Sequence, residues 1–412
     1  MGRRIKLMLF DGSLAIGGTE RSIFDLARLI DKSRFEVLIY CFSPKDHFAL
    51  KAEEAGIRVC SAQFNFRLLN FFQCCGDVLR TFRKEGIEIL HCFNYPTIYY
   101  GVVLGVLAKV PYIVSVVRDE GTWKGRSHRF WDGIVDWYAD LIIANSRSAQ
   151  ENYIRDKPPD LAAKVITIYG GIDTLGLDQE GQGPDRPGRT RLAIGVIGRL
   201  DDSLKGHSDF IKAARIVAEQ RKGITFYAIG DGPDRARLEG LALESGLNGK
   251  LLFAGPIADL RQIYNMLDIV VIPSRSESLP HVLLEAMYCK KPIIATSVGD
   301  IPLILEDQRT GFLIPKGDPE TLAQKLLQLI DRSELIQRFG MNARKRFLRL
   351  GLTAERTVRR TEKAYTVLVS SSPKVRAISF RVLVGIATFI LFQAFLAAKR
   401  WLLPSCLDGC KS

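Results

Sequence analysis

Residues 176–191 read GLDQEGQGPDRPGRTR. Four glycines, two prolines and almost no apolar residues mark this stretch as a linker. On each side of it, short apolar runs of strand length alternate with stretches of helical period. Before it the runs are residues 5–10, 35–41, 57–60, 87–91, 112–117 and 141–144. After it they are residues 192–197, 225–229, 251–254, 269–272, 293–296 and 312–314. Between most of them apolar residues recur at helical spacing, as Ile23, Leu26, Ala27 and Ile30 do. Strand–helix alternation implies parallel sheets covered on both faces. The chain therefore reads as α/β, with one doubly wound half over residues 1–175, a second over 192–350, and a cleft between them. Three helical patterns with no strand after them, at 321–330, 334–347 and 354–369, end this part of the chain. Residues 351–370 read as a closing helix.

The composition agrees with a globular enzyme-sized protein. Of 412 residues, 47% are hydrophobic and 25% charged, which excludes a disordered, collagenous or polytopic membrane chain. The formal charge of +13 favours anionic partners. The eight cysteines include no CxxC pair and no Cys/His cluster at zinc spacing, so a reducing compartment and no metal site are expected. Arg3, Arg4 and Lys6 precede only a short apolar run without a small-residue cleavage site, and no secretory signal is expected. Residues 371–412 differ: six basic side chains accompany one acidic one. Within them residues 382–398 carry no charge and no polar face. They read as a membrane helix, spanning the bilayer or lying in one leaflet, against soluble packing or an oligomer contact.

The strongest local signal for chemistry is Glu277-Ser-Leu-Pro-His-Val-Leu-Leu-Glu285. It follows a strand and the turn Pro273-Ser274, and Leu283, Leu284, Met287 and Tyr288 carry a helical stripe. Pro280 suits a first helical turn. The backbone N–H groups of residues 279–281 (Leu279, Pro280 and His281) are then expected at a helix N-terminus, a site for a diphosphate. Glu285 falls about one turn inside the helix and Glu277 just before it, where two carboxylates can hold sugar hydroxyls. Gly198-Arg199 closes the first strand of the second half and Lys205-Gly206-His207 follows. Ligands of open α/β sheets bind beyond the carboxyl ends of strands, and an Arg and a Lys there can neutralise a diphosphate. Gly17-Gly18 occupies the matching place in the first half, where missing side chains let a phosphate approach the backbone. His91, His128, His207 and His281 are scattered and read as packing or surface residues rather than metal ligands.

These residues resemble the retaining glycosyltransferases of family 4, which have the GT-B fold of two Rossmann-like domains facing a cleft. The resemblance runs through nearly all of residues 5–370. It includes Gly17-Gly18-Thr19-Glu20-Arg21, Asn145-Ser146, Gly170-Gly171-Ile172-Asp173, Gly198-Arg199 with Lys205-Gly206, Gly230-Asp231-Gly232-Pro233, and the Glu277/Glu285 pair. It implies transfer of a sugar from a nucleotide donor with retention at the anomeric carbon. By it, Arg199 and Lys205 hold the diphosphate, Glu285 the ribose and Glu277 the donor sugar, with Gly17, Gly18 and Gly230 beside the donor. Many relatives carry a His in the loop where this chain reads Arg118-Asp119-Glu120-Gly121, so Arg118 or Asp119 takes over donor-sugar or acceptor contacts. Many also have Asn where this chain has Gly170.

The expected partners are a nucleotide sugar, a lipid-linked or saccharide acceptor, and a membrane through the tail, but not nucleic acid. No cofactor or metal is expected, because the chain has no Asp-x-Asp after a strand and fixed positive charge can stabilise the leaving diphosphate. The donor is a cytosolic metabolite, which places the two halves at the cytoplasmic face of the cell membrane or in the cytoplasm. Polysaccharide, lipopolysaccharide or glycolipid biosynthesis fits that setting. A sugar-nucleotide epimerase on the same fold and a non-catalytic donor-binding subunit of a membrane complex are the rival readings. A nicotinamide oxidoreductase is disfavoured, since the first strand leads to no GxGxxG.

Overall fold

The computed structural model describes residues 3–62, 68–95, 97–118, 121, 125–177 and 191–373. Most of the linker, Asp119 and the apolar run 382–398 lie outside the described residues. Among the described residues the strands form two sheets, one in each half. The first holds β1 (Ile5–Asp11), β2 (Phe35–Cys41), β3 (Arg58–Ser61), β4 (Ile89–Cys92), β5 (Tyr112–Val117), β6 (Leu141–Ala144) and β7 (Val165–Thr167), in the order β3-β2-β1-β4-β5-β6-β7. The second holds β8 (Leu192–Ile197), β9 (Ile224–Ile229), β10 (Leu251–Gly255), β11 (Ile269–Ile272), β12 (Ile293–Thr296) and β13 (Gly311–Ile314), in the order β10-β9-β8-β11-β12-β13. Every pairing in both sheets is parallel.

Burial explains why these segments are strands. Leu7 to Asp11, all of β5 and all of β11 are buried without alternation, as strands covered by helices on both faces must be. The sequence reading missed β7, whose three residues are too short a run to stand out.

The helix Ala354–Ser370 forms where its period predicts, with the Thr353 hydroxyl capping it by accepting from the Arg356 amide. It packs back on the first half: Val358 and Tyr365 belong to that half's core, and Tyr365 is fully buried there. In both sheets the strand order reverses beside the first strand, between β1 and β4 and between β8 and β11. Crevices open at such reversals, at the carboxyl ends of the strands.

Candidate active site

The crevice of the second half is built by two glycines. After β8 the chain passes through Arg199, which is exposed and has no described ion-pair partner, to the helical turn Asp202–Lys205 and Gly206. Gly206 is left-handed at φ +66°, and a Cβ there would lie 2.1 Å from the Pro273 carbonyl oxygen. Gly230 has φ +136°, and its Cβ would lie 2.0 Å from the Gly198 carbonyl oxygen. Only glycine satisfies both the backbone angle and the close approach. The ends of β8, β9 and β11 are thereby drawn together. Lys205 Nζ then reaches Glu277 Oε1, which also accepts from Ser274 Oγ at 3.0 Å.

The helix His281–Tyr288 begins one residue later than its proline led us to expect. Pro280 is the cap, extended at φ −74° and ψ 131°, rather than a member of the first turn. It also has no N–H, so the backbone donors at this end come from Leu279, His281 and Val282, not from every residue of 279–281. Glu285 lies one turn inside and is buried. Its Oε2 accepts from Tyr264 Oη at 2.8 Å, and its Oε1 pairs with Arg21 Nη1 at 3.3 Å. Burial pushes the Glu285 carboxyl above the usual carboxylate range, against the pull of Arg21 and Tyr264.

The first half supplies the opposite wall. Gly18 opens the helix Gly18–Leu29, with Gly17 as its cap. A Cβ on Gly18 would stand 3.5 Å from His281 Nδ1, so this turn faces the helix of Glu285 directly. Ser22 Oγ lies 3.5 Å from His281 Nε2 and accepts from Arg118 Nη2 at 3.2 Å. The Arg118 carbonyl accepts from Ser278 Oγ at 2.6 Å, so Arg118 touches both halves. Burial brings His281 down to about 3, with Arg118, Arg21 and Lys205 acting in the same direction, and its ring is neutral at physiological pH. The structure thus gathers Gly17, Gly18, Arg118, Lys205, Glu277, Leu279, Pro280, His281 and Glu285 around one cleft, with Arg199 and Gly230 at its β8–β9 edge.

Several residues of this cleft escaped the sequence reading as site residues. Arg21 is one, paired across 264 positions. Asp300 is another: its carboxylate accepts from the amides of Arg147 at 2.8 Å and Ser148 at 2.7 Å, capping the helix Arg147–Ile154 of the other half. A third group is Asp11, Glu20 and Asn94. Asn94, left-handed at φ +49°, donates Nδ2 to Asp11 at 3.1 Å and to Glu20 at 3.3 Å. Burial pushes Asp11 up to about 7. The signals in the chain were the position of Asp11 at the end of the first strand and of Glu20 in the stretch Gly17-Gly18-Thr19-Glu20-Arg21.

Comparison with known proteins accords with this geometry. Residues 16–174 match the model of Glycosyltransferase Family 4, and residues 186–346 match that of Glycosyl transferases group 1. The chain belongs to glycosyltransferase family 4. This glycosyltransferase has the GT-B fold, shared with Anabaena HepE, solved in complex with UDP and glucose, at a TM-score of 0.77 and 21% identity over 88% of this chain and 100% of HepE. An uncharacterized glycosyltransferase of Methanocaldococcus jannaschii is 26% identical over 67% of this chain and 74% of the relative. A D-inositol 3-phosphate glycosyltransferase of Corynebacterium jeikeium is 26% identical over 62% of this chain and 67% of the relative.

Proposed function

We propose that this glycosyltransferase moves a sugar from a nucleoside-diphosphate donor to a saccharide or lipid-linked acceptor with retention of configuration, and needs no metal. The observation that carries the reading is the convergence of Arg199, Lys205 and Glu277 with the His281–Tyr288 helix and its Glu285 at the β8/β11 crevice. UDP is the nucleotide to try first, because HepE binds UDP-glucose on the same fold.

In this reading Arg199, Lys205 and the helix amides neutralise the diphosphate. Glu285 accepts from the ribose hydroxyls, and Glu277 from the donor sugar. The bond from the anomeric carbon to the phosphate oxygen breaks, and its electron pair stays on the diphosphate. The acceptor oxygen bonds that carbon on the face just vacated and gives its proton to the departing phosphate oxygen. Arg118 or Asp119 takes the contacts to the donor sugar or the acceptor. Fixed cations stabilise the leaving group in place of a divalent ion.

The membrane part of the reading rests on residues 382–398 and their basic flanks. Among the described residues no helix is long and apolar enough to cross a membrane. Synthesis of polysaccharide, lipopolysaccharide or glycolipid at the cytoplasmic face would use such an attachment.

The test incubates purified protein with a panel of nucleotide sugars, with and without polyprenyl-diphosphate saccharides, in excess chelator. Release of nucleoside diphosphate and a product of unchanged anomeric configuration by NMR are expected. An inverted product sinks retention. Activity restored only by Mg²⁺ or Mn²⁺ sinks metal independence. An epimerised nucleotide sugar with no transfer would establish the epimerase instead.

A further inference from the structure

A cavity of about 70 Å³ lies inside the first half, apart from Lys205, Glu277 and Glu285. The helix Gly18–Leu29, the carboxyl ends of β4 to β7 and the helix Ala354–Ser370 line it. Much of its wall is apolar, with Leu26, Ile143 and Val358 among its members. Three side chains bring to it hydrogen-bonding atoms that no described residue engages: Asp25 Oδ2, His91 Nε2 and Asn145 Oδ1. Asp25 is only 4% exposed and His91 only 2%. A buried polar atom left without a partner is costly, so three around one space call for an occupant that bonds them. One water needs about 10–15 Å³, so the space takes roughly five waters or a fragment with that many heavy atoms.

The charges select the kind of fragment. His91 Nδ1 lies 2.5 Å from Tyr365 Oη, and burial brings the ring down to about 3, so it is neutral. Asp25 stands beside Arg28 at 3.7 Å, and burial pushes its carboxyl up to about 7. An anion would meet the Asp25 carboxyl, and a cation would meet Arg28 and Arg118. A hydroxyl fits all three orphaned atoms, since it both donates and accepts.

We propose that this cavity binds a neutral polyol group, such as a glycerol unit or one glycol edge of a sugar, with its hydroxyls on Asp25, His91 and Asn145. The C–H faces of that group lie on the apolar wall. Ser22 and Arg118 line the side of the cavity toward the cleft. The group is therefore either part of the acceptor or a free small polyol.

The test uses the full chain labelled with ¹⁵N at its five histidines. The His91 ring signals are assigned by their loss in His91→Gln. Glycerol and glucose are titrated against them, with sodium phosphate as the anionic control. A saturable shift of the His91 Nε2 signal with the neutral polyols, and none with phosphate, is expected. Asn145→Ala should weaken it roughly fivefold or more, the loss of one neutral hydrogen bond. Ala354→Leu, which fills the space from the closing helix, should abolish it. No shift with either polyol, or an unchanged affinity in a folded Asn145→Ala protein, overturns the proposal. If Ala354→Leu fails to fold, Asn145→Ala remains decisive. Turnover of UDP-glucose with glucose present separates the sources: glucose glucosylated there is an acceptor, and glucose that shifts His91 without affecting turnover is a separate ligand. The binding arm requires no turnover, so its failure is distinct from failure of the proposed transfer.

Discussion

Arg21 Nη1 stands 3.3 Å from Glu285 Oε1, and the two residues belong to opposite halves of the molecule. Glu285 is the acid assigned to the donor ribose, and Arg21 and Tyr264 both engage it. A ribose hydroxyl must share or displace the Arg21 contact. One side chain of the first half thus bears directly on the acid of the second half.

Removing Arg21 should move the pH dependence of nucleotide binding. Burial already raises Glu285, and Arg21 opposes it. In Arg21→Ala the carboxyl rises further, so as pH falls it takes a proton earlier and loses its charge-assisted acceptance. UDP affinity in the variant should decline at a higher pH than in the parent, by roughly 1.5–3 kcal/mol once protonated. Calorimetry with UDP across the acid range reads this directly; superimposable profiles would remove Arg21 from the site.

The two glutamates should separate by ligand. Glu285→Ala should weaken both free UDP and the sugar-bearing donor. Glu277→Ala should weaken the sugar-bearing donor more than free UDP. Calorimetry with each ligand compares them, and equal losses on both ligands for both variants would end the division of roles.

Arg199 and Lys205 should differ in their effect on the fold. Each loss should lower transfer about tenfold or more, at roughly 1.5–3 kcal/mol per charge-assisted contact. Arg199 is exposed, so Arg199→Ala should melt like the parent. Lys205→Ala leaves Glu277 with only the Ser274 hydroxyl of its two partners and should melt lower. Full activity with saturable donor kinetics in both variants would exclude the diphosphate assignment.

Asp11 gives the fold a pH dependence of its own. Its carboxyl ordinarily titrates at 3.8 and here is raised to about 7. The folded state therefore holds the proton more tightly, so this contribution is complete below the ordinary value and fades as pH rises through about 7. Asp11→Asn should flatten the fall in urea midpoint between those limits. Some slope should remain, because Asp25 is raised into the same range. A variant as steep as the parent would show that Asp11 is ionised throughout.

A chain ending at Ser372 should stay folded and bind nucleotide, yet leave the membrane fraction. High salt should release the full-length protein only if basic charge alone holds it. Full-length protein found wholly in the soluble fraction at low salt would end the membrane reading.

The sequence by itself determined most of the strands. Parallel strands covered on both faces leave unbroken apolar runs, and β2, β5, β6, β8, β11 and β12 begin and end where those runs do. Gly206 and Gly230 were legible in their motifs, although their reason is a neighbouring carbonyl that would lie 2.1 and 2.0 Å from an added Cβ, an approach that only packing creates. Pro280 was placed one residue too deep, because the chemistry that suits the first turn also suits the residue before it. Tertiary structure decided the rest. Periodicity is a property of neighbouring residues, whereas Arg21 meets Glu285, Ser22 meets His281 and Asp300 caps the Arg147 helix only because two sheets face each other. The partner of the closing helix was equally invisible, since an amphipathic pattern states that a face must be covered but not by which half. Burial, too, is a sum over distant chain segments, and it is the largest of the causes that raise Asp11, Asp25 and Glu285.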